Sequence, residues 1–164
     1  MTDSTEQSLN PARLSRGIVL RVEEDACHIL RAGRLSSVRF ASAFPSPRTE
    51  RVSPGHLVAV AAAADGSGAE AVVWRWYDAV VLGEETGGQN SGLVRFWEPA
   101  HGEVLAQPRR AQHHPQPGTR VYLSAGLPGA DWWMAGPVVA QAEDAEVELD
   151  EVERFCTQHD LWPG

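Results

Sequence analysis

Lysine is absent from this chain: all fourteen basic residues are arginine. Codon bias is a sufficient explanation, but the absence removes any Gly-x-x-x-x-Gly-Lys phosphate loop. Neither a Gly-x-Ser-x-Gly elbow nor a His-Glu-x-x-His helix occurs. With no base–nucleophile pair in view, the reading is a non-enzymatic protein. No apolar run approaches the length of a bilayer span, and the start "MTDSTEQSLNPARLSR" has no apolar signal core, so a cytoplasmic location is expected. Cysteine is scarce. Cys27 and Cys156 lie far apart and are expected to be free thiols. Cys27-His28 and Cys156/His159 include no Cys-x-x-Cys pair, so neither a metal nor another cofactor is expected. His113 and His114 stand in a Pro- and Arg-rich loop and read as solvated.

What is present is β-patterned. The 164 residues are 43% hydrophobic, enough for one large core or two small ones. The net charge of −8 is concentrated in residues 140–164, while 16–83 and 92–139 are each nearly neutral. An acidic tail can coexist with a basic face, so this charge does not exclude a nucleic-acid partner. Residues 1–15 read as a disordered N-terminus. "RGIVLRV" alternates Ile18, Leu20 and Val22 against Val19 and Arg21; "ACHILRA" returns after a charged turn; "LSSVRFA" sets Val38 and Phe40 against Ser37 and Arg39. "FPSPRTERVSPG" holds three prolines and is a long loop. "HLVAVAAA" and "EAVVWRWYDAVVL" complete five strands, the last with Trp74 and Trp76 on a core face beside Val72, Val80 and Leu82. That count, with one long connection after the third strand, fits a small Greek-key barrel over 16–83.

"GEETGGQNSG" supplies a linker over 84–91, after which the pattern restarts. "GLVRFW" echoes "GIVLRV", "PGTRVYL" echoes "PGHLVAV", and "DWWMAGPVV" echoes "EAVVWRWY". A second small barrel is therefore expected over 92–139. Trp132 and Trp133 must point to opposite sides of their strand, which would leave one exposed or on a seam between domains. Residues 140–164 predict an acidic C-terminal helix and tail. Val147, Val152, Phe155 and Cys156 fall near one stripe, with Pro163-Gly164 at the end. Such a helix caps a barrel or presents Phe155, Leu161 and Trp162 to another protein.

The first half resembles the OB domains of translation factors and ribosome-associated GTPases. Gly17-Ile18-Val19 opens the strand pattern, and Pro54-Gly55-His56-Leu57-Val58 stands where such domains carry Gly-Asp-x-Val, with His56 for Asp. The second half is similar to a cold-shock domain at Gly92, Val94, Arg95, Phe96 and Trp97, although Glu103 and Leu105 stand where that family places stacking phenylalanines. The second barrel is thus OB-like or SH3-like. The resemblance implies binding of single-stranded DNA or RNA. Its expected contacts are Arg21, Arg31, Arg34, Arg39, Phe44, Arg48 and Arg51 in the first barrel, with Arg95 and Phe96 in the second. The rival expectation is a protein–protein adapter, in which those arginines are solvated edge charges.

Overall fold

Period-two alternation and short turns produce a mainly β protein with two closed five-stranded barrels in sequence. The computed structural model describes residues 14–41, 52–63, 66–85, 88, 92–108, 115–125, 132–147, 149–150 and 152–153. Residues 1–13 of the disordered N-terminus expected over 1–15, the loop residues Phe44, Arg48 and Arg51, the loop histidines His113 and His114, and the tail residues Phe155, Cys156, His159, Leu161 and Trp162 lie outside it.

The first barrel comprises β1 (Leu14–Val22), β2 (Ala26–Arg31), β3 (Arg34–Phe40), β4 (Leu57–Ala62) and β5 (Glu70–Arg75). They close in the order β1-β2-β3-β5-β4, with β3 and β5 parallel and β4 returning to β1. Leu14 and Ser15, expected to be disordered, pair with Ala61 and Val60. Val19, Cys27, Ile29, Val38, Val58, Val60 and Val72 form the core. Val38 and Arg39 face as expected, one buried and one exposed. Up to Leu20 the facing of β1 is reversed, with Val19 fully buried and Leu20 48% exposed, whereas Arg21 is exposed and Val22 packs against the core as expected. A bulge between Val19 and Arg21 breaks the simple alternation.

The expected long fifth strand is two strands. β5 stops at Arg75, and the same apolar run continues after Trp76 as β6 (Tyr77–Glu84), the first strand of the second barrel. The chain divides into its two compact units at that point, not at 84–91. β6, β7 (Val94–Glu98), β8 (Gly102–Gln107), β9 (Arg120–Ala125) and β10 (Trp132–Pro137) close in the order β6-β7-β8-β10-β9, with β8 and β10 parallel. Tyr77, Ala79, Val81, Val94, Phe96, Ala106, Val121, Leu123 and Met134 make its core. Trp74 and Trp76 are buried, whereas Leu82 is 38% exposed, and neither Trp132 nor Trp133 is exposed.

The two barrels repeat one another in detail. In the first, Gly55 N–H donates to Val19 O, Val19 N–H to His56 O, and His56 N–H to Ser53 O. In the second, the same three bonds run from Gly118 to Val81, Val81 to Thr119, and Thr119 to Gln116. Gly55 (φ 93°) and Gly118 (φ 90°) both need the left-handed backbone that only glycine adopts freely. The bulge at Leu20 recurs at Leu82, and the bulge that skips Val73 in β5 recurs at Ala135 in β10. The Pro-Gly and last-strand echoes therefore match equivalent elements. The opening echo does not: "GIVLRV" corresponds to "AVVLGE" in β6, and "GLVRFW" belongs to the second strand of its barrel.

The tail is described only in part. Ala142–Asp144 form one turn of 3-10 helix, and Leu149, Asp150, Val152 and Glu153 take helical backbone without amounting to an element. Ala145 is extended and residues 145–147 are not helical, so the described residues give no support to the expected long helix over 140–164; residues 154–164 lie outside them. Ala145, Val147 and Val152 are buried. Among the described residues, no helix is long and apolar enough to cross a membrane.

Candidate functional site

The first three strands of each barrel form an outward sheet face whose side chains are aligned by register. In the first barrel one row is Ile18–Leu30–Leu35 and the next is Arg21–His28–Ser37, with Arg39 opposite Ala26 beyond it. Leu35 is 63% exposed. The Arg21 side chain is 72% exposed, with Nη2 3.7 Å from Glu23 Oε1. His28 Nε2 lies 2.9 Å from the same carboxylate. That hydrogen bond, more than the charges of His28 and Arg21, holds Glu23 below the usual carboxylate range. Arg34 and Arg39 are exposed and make no ion pair among the described residues.

Two of the expected nucleic-acid contacts in the first and second barrels are already taken up. Arg31 is turned to the barrel end: Nη1 donates to Glu70 Oε2 at 2.7 Å and Nη2 to Glu70 Oε1 at 2.9 Å. The same two nitrogens reach Ser15 Oγ at 3.1 Å and Ser36 Oγ at 3.0 Å. The bond to Glu70 raises the Arg31 pKa above its ordinary value, and Arg31 in turn lowers that of Glu70. Both terminal nitrogens of this guanidinium are thus engaged at the barrel end. Arg95 is held by Glu85 through Nε at 3.1 Å and by Glu103 through Nη1 at 3.1 Å.

Phe96 is fully buried in the second core and cannot stack on a base. Strand alternation puts its neighbours outside instead. Trp97 is 51% exposed, directly between Val80 on β6 and Glu103 on β8. Trp97 and Leu35 are exposed aromatic and apolar side chains that were not among the expected contacts. With Val94 taken as inward-facing, the period of two would have placed Trp97 outward.

The ends of the barrels differ. At the position equivalent to Arg31, the second barrel has Glu98, a buried carboxylate. Its Oε1 accepts the N–H groups of Ala100 and His101 at 3.0 Å and lies 2.5 Å from His101 Nδ1. The His101 ring sits edge-on to Trp132 (4.8 Å) and Tyr77 (5.4 Å), which also contact each other edge-on at 5.1 Å. This cluster seals the barrel with aromatic packing where the first barrel uses Arg31 and Glu70.

Cys27 and His28, adjacent in sequence, point to opposite faces, so they do not form a joint ligand pair. Cys27 is buried and free, and burial pushes its thiol up to about 11. Among the described residues, no group of three or more His, Cys, Asp and Glu could hold a metal ion. His56 uses Nδ1 to accept the Ser53 N–H at 2.8 Å and so braces the Pro-Gly turn. No family model, curated protein or solved structure matches this chain.

Proposed function

We propose that this is a non-enzymatic binding protein of two tandem OB-type barrels, and that the first barrel holds single-stranded DNA or RNA on the outer face of β1–β3. In both barrels five strands close in the Greek-key order 1-2-3-5-4, and OB barrels bind oligonucleotides on the face of strands two and three. The observation that carries the reading is the pair Arg21 and Arg39, exposed on that face beside His28 and Ser37, with Arg34 at the adjoining hairpin. Their guanidinium forks suit phosphate oxygens, and their planes suit bases. Residues 14–75 hold eight arginines against six carboxylates, whereas 77–137 hold four against six. The charge balance therefore favours the first barrel.

The test is anisotropy of labelled oligo-dT and oligo-U against the full chain over a salt series. Each single-strand phosphate contact contributes about 0.7 to the slope of log affinity on log salt, so Arg21→Ala with Arg39→Ala should flatten it by about 1.4. Absence of binding at low salt would refute the reading. It would leave the adapter as the better account, which is favoured by Leu20 and Leu35 exposed on the same face.

A further inference from the structure

The second barrel presents the equivalent outer face with different chemistry. Its rows are Val80–Trp97–Glu103 and Gly83–Arg95–Leu105, where the first barrel has Ile18–Leu30–Leu35 and Arg21–His28–Ser37. An indole stands where the first barrel has Leu30. It lies against the β7–β8 hairpin, so that a Cβ on Gly102 would be 3.8 Å from Trp97 Cζ3. Val80 and Leu105 are half-buried beside it, and Leu82 is exposed on the neighbouring strand.

The charge on this face is the reverse of what phosphate needs. Arg95 lies between two carboxylates, Glu85 and Glu103, and Arg120, in register with Val80 at the edge of this face, is paired with Asp78, so three carboxylates stand against two arginines and a local excess of negative charge remains. Glu103 turns 54% of its side chain to solvent and meets Arg95 through Oε1. An exposed indole ring attracts a cation to its face, and a carboxylate in register beside it supplies the counter-charge.

We propose that this face docks a cationic segment of a partner protein, with an arginine or lysine side chain laid over Trp97 and paired with Glu103. Charge complementarity selects this occupant: a nucleic-acid strand would bring phosphates against Glu85 and Glu103. The flanking Val80, Leu82 and Leu105 receive the apolar neighbours of the basic residue. The proposal is independent of nucleic-acid binding by the first barrel.

The probe is a fluorescein-labelled peptide of alternating arginine and valine, titrated into the full-length chain at low salt. Saturable binding is expected, together with its loss when citrulline replaces arginine. Trp97→Ala should weaken it by about fivefold or more, Glu103→Gln by about threefold, and Trp97→Phe by less than Trp97→Ala. Arg39→Ala should leave it unchanged, which separates this face from the first barrel. Trp97→Phe keeps a ring against the β7–β8 hairpin, so a thermal melt of both variants separates lost binding from lost stability. No peptide binding, or binding indifferent to Trp97→Ala, would overturn the proposal. So would a loss of oligo-dT binding in Trp97→Ala, since that would make the ring a base platform.

Discussion

Arg31 and Glu70 face each other as a two-pronged ion pair, 2.7 and 2.9 Å, across one end of the first barrel. The pair joins the end of β2 to the start of β5, and Ser15 and Ser36 complete the ring around the guanidinium. Removing Arg31 strands a partly buried carboxylate. Arg31→Ala should therefore cost about 2 kcal/mol in urea unfolding, discounted from a fully buried pair because Glu70 is about one-third exposed.

The same pair has a pH signature. Arg31 depresses the Glu70 pKa in the folded state. The linked stability is therefore fully present above the unfolded carboxylate value of about 4.3 and is lost as pH falls through the lower folded value. The gap between wild type and Arg31→Ala should be constant near neutrality and narrow only in acid. A gap that narrows toward alkaline pH would contradict the assignment.

Gly17 passes so close to β2 that an added Cβ would collide with Ile29 Cγ2 and lie 2.7 Å from Arg31 Cγ. Gly17→Ala should destabilise by about 1–3 kcal/mol through overpacking. The equivalent residue in the second barrel is Ala79, fully packed with its methyl group in place. There Ala79→Gly should destabilise instead. Thermal melts of both variants check the asymmetry.

The β2–β3 turn places Ala32 at φ 48° and Gly33 at φ 76°. Both central residues of this two-residue hairpin are left-handed, a geometry that prefers Asn-Gly to Ala-Gly. Ala32→Asn should raise stability by about 0.5–1 kcal/mol, without touching the outer face. An unchanged or lowered melting temperature would contradict this.

Cys27 should resist thiol reagents in the native state. Its thiol is buried, and its pKa of about 11 leaves little thiolate at pH 8. In a Cys156→Ser background, labelling should wait for denaturant. Rapid native labelling would mean that the first core opens readily.

Truncation after Gln141 tests the tail. Ala145 and Val147 are buried, and Gly136 lacks a side chain where the Glu146 carbonyl packs against it. The packing predicts that truncation after Gln141 lowers the melting temperature, and that Gly136→Ala does so as well.

By itself, the sequence determined that the chain is β-rich, that it holds two small cores, and that Pro54-Gly55 and Pro117-Gly118 introduce equivalent strands. Those features are local: alternation, prolines that cannot pair, and glycines that tolerate positive φ. Tertiary structure decided the rest. Trp76 divides the barrels inside one continuous strand-patterned run, because strand partners and not composition determine where one sheet ends. The bulges at Leu20 and Leu82 invert the face of every residue before them relative to simple alternation, a shift that only pairing reveals. Arg31 and Arg21 look alike in sequence. One is consumed by a carboxylate thirty-nine residues away and the other stays in solvent, because barrel closure brings Glu70 to the end of β2. Phe96 and Trp97 are adjacent aromatics with opposite fates. Closure of the second barrel buries one and leaves the other at the surface.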